Sequence, residues 1–236
     1  DLPVGVHLAK LPLTEKFPRV TVGHIGALRT LALRKAPLST YQLAAKRVLD
    51  LALASFGLIV LAPLFLLIAG LIKYDSKGPV FFRQRRRGFN LKEFAIWKFR
   101  TMSTLDDGDT IVQAQTNDVR ITRVGAVLRR FNLDELPQLI NVVLGDMSLV
   151  GPRPHAVAHD RHYEQIIRRY QRRLNVKPGI TGWAQVNGYR GITEKSHAMR
   201  SRIAHDLFYI DNWSLAFDLY IMALTVVSPK AFRNAH

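Results

Sequence analysis

Asp134 and Glu135 are adjacent carboxylates in Asn132-Leu133-Asp134-Glu135-Leu136-Pro137, and two arginines, Arg129 and Arg130, stand just before them. Downstream, Gly151-Pro152-Arg153-Pro154 presents one guanidinium between two prolines, whose fixed backbone narrows the positions that arginine can take. Upstream, Lys98 and Arg100 alternate with aromatics in Trp97-Lys98-Phe99-Arg100. Carboxylates among arginines and lysines are the parts of a phosphate-handling site. The cations neutralise phosphate oxygens, and a carboxylate can attack phosphorus or help to hold Mg²⁺. The acidic pair also fits an ordinary helix start, where free N–H groups and the positive end of the helix dipole stabilise acids. The Pro-Arg-Pro turn also fits a plain surface loop. It is the company these residues keep, more than either motif alone, that points to phosphate chemistry.

These side chains have to be positioned by the elements around them. Thr122 caps a predicted helix over Arg123–Arg130, and the spacing of Asn132 and Glu135 suggests a capping box for a second helix that runs to about Leu144 and ends at Gly145. That reading puts Asp134 and Glu135 in the first turn of the second helix. Val80–Arg85 and Glu93–Arg100, rich in Phe, Val, Ile and Trp, flank Gly88-Phe89-Asn90 and predict a β-hairpin. Seven of its residues are basic (Arg83, Arg85, Arg86, Arg87, Lys92, Lys98, Arg100) against the single acid Glu93, and such a cluster is expected to face headgroups or phosphate. Residues 103–118 read as a polar surface loop that could close over a site. Residues 156–173 read as an amphipathic helix with a strongly basic face. The glycines of Lys177–Gly191 read as an irregular functional loop. Glu194–Ile210 reads as helix, and Ser214 caps a last apolar helix, Leu215–Val227, that is buried or membrane-associated.

From Leu51 to Ile72 the chain carries no charge over 22 residues, which as a helix is roughly 33 Å long, enough to cross a bilayer. Two features argue against a straight span. Pro63 in the middle removes a backbone hydrogen bond and predicts a break there. Both flanks are basic, Lys46 and Arg47 before the run and Lys73, Lys77 and Arg83 after it, so both ends look cytoplasmic. The expectation is a re-entrant helix-break-helix over about residues 48–73, dipping into one leaflet and returning. Composition agrees with a packed, surface-basic protein: 48% of residues are hydrophobic, and 34 Lys and Arg against 18 Asp and Glu give a net charge of +16. With no cysteine, disulfides, thiolate metal sites and cysteine nucleophiles are excluded. Residues 1–40, with four prolines and no sustained period, read as a linker or the remnant of an upstream domain. The expected architecture is therefore α/β, mainly helical: a small β-hairpin and several amphipathic helices packed on the re-entrant element, in one domain over residues 41–236.

Five blocks in order carry a resemblance. They are Lys46-Arg47 with Asp50; Trp97-Lys98-Phe99-Arg100-Thr101-Met102; Leu133-Asp134-Glu135-Leu136-Pro137-Gln138-Leu139; Gly145-Asp146-Met147-Ser148-Leu149-Val150-Gly151-Pro152-Arg153-Pro154; and Pro178-Gly179-Ile180-Thr181-Gly182-Trp183-Ala184-Gln185-Val186-Asn187-Gly188. From about Tyr41 to its end the chain resembles the bacterial sugar transferases, the monotopic polyprenyl-phosphate phosphoglycosyl transferases. The resemblance implies that Asp134 is the nucleophile that attacks a UDP-sugar and forms an aspartyl-phosphosugar. Glu135 is implied to support the dyad and Mg²⁺, which both acids would hold, and to help with proton transfer. Arg129 and Arg153 match positions tied to phosphate binding, and Lys98 and Arg100, in the block beside the membrane surface, are implied to contact the carrier phosphate. The implied acceptor is undecaprenyl phosphate at the cytoplasmic face of the bacterial inner membrane, with membrane lipid as a partner and a homodimer left open. The family breaks its re-entrant helix at a Ser-Pro pair; this chain has Ala62-Pro63 and lacks that hydroxyl. Among donors, glucose stands slightly ahead of galactose on family frequency alone.

Two other readings compete with this one. A membrane-tethered nucleic-acid binder accounts for the charge and for aromatics such as Trp97 and Phe99 and leaves the acids without a task, so no nucleic-acid partner is expected. A metal-dependent phosphohydrolase would hand the same aspartyl intermediate to water.

Overall fold

In the computed structural model of the chain, the described residues are 21–25, 28–32, 38–103, 118–189 and 196–228, and they fall in two compact units, Asp1–Pro37 and Leu38–His236. In the first unit, β1 (Thr21–Ile25) and β2 (Leu28–Ala32) pair antiparallel with Ile25 opposite Leu28. This hairpin lies inside the stretch expected to be linker. The anticipated loop over 103–118 falls almost wholly outside the described residues, as do 190–195.

The second unit opens with α1 (Thr40–Val60), started by a capping box: the Ser39 hydroxyl accepts from the Gln42 N–H at 3.3 Å, and Gln42 Oε1 accepts from the Ser39 N–H at 2.8 Å. After the single residue Leu61 comes α2 (Ala62–Asp75), bent by 59° from α1. Pro63 explains the break. In one continuous helix its nitrogen would have to donate to Ile59, which it cannot do, whereas in the first turn of a new helix no donor is needed. No side chain caps Leu61, so the bend forms without the serine that position 62 lacks. Each arm buries one face against the unit, through Ala54 on α1 and Ile68 and Ile72 on α2. The opposite faces are open, with Ile59 74% and Leu66 76% exposed. No single helix among the described residues is long and apolar enough to cross a membrane; only the bent pair, taken together, is.

The expected hairpin is present as β3 (Phe81–Arg87) and β4 (Glu93–Phe99), antiparallel, with Phe82 opposite Lys98 and Arg86 opposite Phe94. Strand alternation puts Gln84, Phe94 and Ile96 on the buried face together with Lys98, and turns Arg83 outward, where its guanidinium lies 3.6 Å over the Trp97 ring. The basic cluster is therefore divided. Arg87 pairs with Glu164 and Arg100 with main-chain carbonyls, so these two are tied into the unit, while Lys98 pairs with Glu135 and faces the acidic dyad.

Next, α3 (Arg123–Arg130) is capped by Thr122 as expected, its hydroxyl accepting from the Gly125 N–H at 2.9 Å. The capping box proposed for Asn132 and Glu135 does not form. Asn132 is left-handed (φ 57°), Leu133–Glu135 make a tight 3-10 turn, and α4 (Gln138–Leu144) starts only after Pro137. Pro137 is the cause: it has no N–H for the Leu133 carbonyl, which instead accepts from Leu136 at 3.2 Å. Asp134 and Glu135 thus precede the helix rather than sit in its first turn. Gly145 ends α4 with φ 92°, as expected.

The rest of the unit surrounds a parallel pair, β5 (Ser148–Val150) and β6 (Gly179–Thr181), with Val150 opposite Thr181. The region expected to be irregular after Lys177 therefore holds a short strand and then a short helix, α6 (Trp183–Val186). The basic amphipathic helix is also shorter than expected. It runs as α5 (Val157–Ile166), and the chain then turns left-handed at Arg169 (φ 69°) into a 3-10 segment, Tyr170–Asn175. Arg173 ends up 2% exposed, turned inward to a buried partner rather than out to solvent. Finally α7 (Ser196–Asp211) leads to α8 (Leu215–Val227), capped by Ser214 as expected. On α8, the buried Asp218 accepts from Lys46 Nζ of α1 at 2.5 Å, Tyr209 Oη at 2.7 Å and Trp213 Nε1 at 3.1 Å. Replacing Lys46 by Met removes the one full positive charge that, among the described residues, hydrogen-bonds this carboxylate, and is expected to cost about 3–5 kcal/mol, read as a lower melting temperature of the purified protein.

Candidate active site

Three elements converge on Glu135. The alternation of β4 aims Lys98 inward, and its Nζ donates to Glu135 Oε1 at 3.0 Å. The 3-10 turn forced by Pro137 points Glu135 into the unit, leaving it 6% exposed. The Gly151-Pro152-Arg153-Pro154 loop supplies the third partner: Arg153 Nη1 donates to Oε2 at 3.0 Å and Nη2 donates to Oε1, a two-pronged grip that the planar guanidinium alone can make. That loop is seated on β6. The Gly151 N–H donates to Thr181 O at 2.9 Å and the Gly179 N–H to Pro152 O at 3.0 Å. The backbones approach so closely that a Cβ on Gly179 would lie 2.1 Å from the Gly151 nitrogen. The glycines singled out after Lys177 are thus needed for close packing, and that packing fixes where Arg153 stands.

Asp134 is the opposite of its neighbour. It is half-buried, and among the described residues no group hydrogen-bonds its carboxylate. Burial raises its pKa above the ordinary 3.8, and the Glu135 charge adds to this; Lys98, Arg129 and Arg153 pull the other way. Arg129, in the last turn of α3, therefore belongs to the site through its field. The result is one tied carboxylate, one free carboxylate and three cations, an assembly suited to receiving an anion with the free carboxylate close by.

Arg100 does not join this assembly. Its guanidinium donates to Ser76 O at 2.8 Å, to Ser76 Oγ at 3.0 Å and to Lys77 O, closing the C-terminal end of α2, and it is 2% exposed. Expected from sequence to bind phosphate, the side chain stands here as a strut between β4 and α2. Pro63, also expected from sequence, shapes the helix pair rather than the site.

Sequence reasoning missed two further features. Gln138 is fully buried at the start of α4, with neither amide atom hydrogen-bonded among the described residues. Behind Arg153 lies a buried network of His155, Asp160, Tyr170, Arg173, Arg202 and Asp206. Burial, with Arg173, Arg202, Arg86 and Arg153 around it, pushes the His155 pKa well below 6.5 and keeps the ring neutral. The spacing of Arg173 and Asp206 gives no local signal of their pairing.

The family described as bacterial sugar transferase matches residues 41–230. The chain belongs to that family. It is 52% identical over 215 residues to the UDP-glucose:undecaprenyl-phosphate glucose-1-phosphate transferase of Xanthomonas campestris pv. campestris, covering 90% of this chain and 44% of that protein. To the Escherichia coli K12 protein with the same name it is 50% identical over 198 residues, 84% of this chain and 42% of the relative. To that of Caulobacter vibrioides it is 52% identical over 191 residues, 81% and 72%. The chain thus spans less than half the length of the first two.

For a bacterial sugar transferase with this donor set, Mg²⁺ is the ion to test. No group of three or more His, Cys, Asp or Glu residues among those described could hold a metal. Asp134 nevertheless offers an unengaged hard oxygen donor, and Mg²⁺ is commonly held by one or two carboxylates with substrate phosphates completing the shell. The residues fit an ion that arrives with a diphosphate.

The two acids are expected to differ in stability. A raised folded-state pKa means that ionising Asp134 destabilises the fold as pH rises through that pKa. Asp134→Asn is therefore expected to raise the melting temperature at pH 7 in metal-free buffer, the gain vanishing below pH 3.8, where the carboxyl is protonated folded or unfolded. Glu135→Gln leaves Arg153 and Lys98 short of counter-charge and is expected to lower it, by about 2 kcal/mol in stability.

Proposed function

We propose that the chain transfers a hexose 1-phosphate from a UDP-sugar to undecaprenyl phosphate at the cytoplasmic face of the bacterial inner membrane, initiating a polysaccharide. What carries this reading is the division of labour in the dyad: Glu135 is tied by Arg153 and Lys98, while the carboxylate of Asp134 beside it has no hydrogen-bond partner among the described residues and is free to attack. An Asp134 oxygen attacks the sugar-bearing phosphorus, the bond to the bridging oxygen breaks, and UMP leaves with that oxygen's electron pair. A phosphate oxygen of the lipid carrier then attacks the same phosphorus and releases Asp134. Arg129, Arg153 and Lys98 offset the charge on the phosphate oxygens, and Glu135, held in place, keeps Arg153 and Lys98 beside the reacting group. Asp134, with Glu135 alongside, would hold Mg²⁺, which would supply further charge neutralisation.

Glucose is the favoured sugar, because the relatives named above act on UDP-glucose by name; galactose follows. The bent pair α1–α2 supports a monotopic placement. If both arms incline equally, a 59° bend sets each about 30° from the bilayer plane, and the 14 residues of α2, about 21 Å long, carry the vertex about 10 Å deep. That depth stays within one leaflet of a roughly 30 Å hydrocarbon core, and the open faces around Ile59 and Leu66 meet lipid. A nucleic-acid reading loses ground because Arg87, Lys98 and Arg100, three of the seven basic hairpin residues, are held by protein groups.

Incubation with Mg²⁺ and UDP-[¹⁴C]glucose is expected to label the protein covalently. Asp134→Asn should reduce labelling on the order of 10³-fold, and so should chelation of the ion; undiminished labelling in the Asn variant removes Asp134 from the nucleophile's role. Placement is testable because the chain has no cysteine. Val48→Cys and Tyr74→Cys, at positions 68% and 94% exposed, should both react with an impermeant maleimide only after cells are opened. Reaction of either in intact spheroplasts refutes the re-entrant placement.

A further inference from the structure

Arg153 is held at both ends. Its guanidinium carries Glu135, and its main-chain carbonyl accepts a hydrogen bond from Arg173 Nη2. The loop has few means of its own to hold still here, since neither Pro152 nor Pro154 has an N–H. Its carbonyls are fastened from outside, Pro152 O by the Gly179 N–H and Arg153 O by Arg173.

Arg173 is itself fixed. Its Nε donates to Asp206 Oδ2 at 3.1 Å, and Nη2 lies 3.1 Å from the same oxygen. Its Nη1 lies 3.0 Å from His155 Nδ1, on the far side of Pro154, and 3.8 Å from Asp160 Oδ1. Arg173 and Asp206 are both 2% exposed. A buried, charged guanidinium is a poor choice for filling space, because apolar side chains of similar volume serve as well or better. Its planar fork instead lets one side chain join a carboxylate on α7 to a carbonyl on the Arg153 loop.

We propose that Arg173, clamped by Asp206, is a positioning residue that sets the register of Arg153 against the Asp134–Glu135 dyad. The proposal rests on the transferase reading and deepens it. Among the described residues no hydrogen bond or ion pair joins Arg173 to Asp134, whereas Arg173 grips the carbonyl of Arg153, so its influence on the reaction passes through Arg153. It also makes α7 part of the catalytic apparatus: a shift of Asp206 moves Arg173, and Arg173 moves the loop.

The test is single-turnover labelling of the full chain in nanodiscs with UDP-[¹⁴C]glucose and Mg²⁺, without lipid acceptor. The amplitude counts competent molecules, and the rate constant reports geometry. Arg173→Lys keeps the charge and loses the fork; its rate constant is expected to fall about tenfold with amplitude kept, because small misplacements of a positioned group are costly. In an Arg153→Gln background the same substitution is expected to change the rate less than about twofold, since both changes then break one chain of contacts. If amplitude falls while the rate constant holds, Arg173 serves the fold alone and the proposal is overturned. A tenfold loss persisting in the Arg153→Gln background overturns it equally. Should Arg173→Lys fail to fold, Asp206→Asn takes its place with the same expectations. Absence of any labelling in the unaltered chain is a different result and sinks the transferase reading itself.

Discussion

Glu135 has been taken out of water between Arg153 and Lys98, and the three pieces of chain that carry these residues cannot part without leaving a charge buried and alone. That constraint organises the second unit. It draws β4, the Pro137 turn and the Pro-Arg-Pro loop to one point, and it requires each to be braced from behind. Asn141 of α4 does so for β4, accepting from the Trp97 N–H at 2.9 Å and donating to Ala95 O at 2.8 Å. β6 and Arg173 do so for the loop. Asp134 gains its chemical freedom because its neighbour satisfies the cations.

A net charge of +16 suggests a surface made for polyanions, yet several of its arginines are spent on architecture. Arg47 closes the end of α4 through the Val142 and Val143 carbonyls, Arg100 closes α2, and Arg173 joins α7 to the Arg153 loop. Arginine suits this use because one planar group can satisfy two or three oxygens at once and stays charged when buried. The unit is built largely of short elements whose ends need such partners, and guanidinium groups supply them.

Much of this was legible in the sequence wherever the signal was local. Thr122 and Ser214 capped the helices expected of them, Pro63 broke the apolar run, and Gly88-Phe89-Asn90 turned the hairpin. The dyad and Arg153 were named from residue type and company, and the structure brings them together with Lys98. The failures come either from a proline close by in the sequence or from a distant contact overruling a local pattern. Asn132 and Glu135 had capping spacing, but Pro137 withholds the donor that the helix requires, and Glu135 belongs to Arg153 instead. Arg173 fell on the basic side of a helical repeat and is drawn inward by Asp206, 33 residues away. Arg100 matched a phosphate-site block and caps a helix 24 residues earlier. Periodicity describes one element against water, and it carries no record of the partner that another element supplies.

Arg100 has one more consequence. It grips the end of α2, while Lys98, two residues back on the same strand, grips Glu135. Strand and helix are therefore coupled, with one end at the close of α2 and the other at the Asp134–Glu135 pair. Any change in the direction of α2 pulls on Ser76, then on Arg100, and within about 7 Å of extended chain on the ammonium beside the dyad. The position of that ammonium is thus set by the helix pair as well as by the loop that carries Arg153.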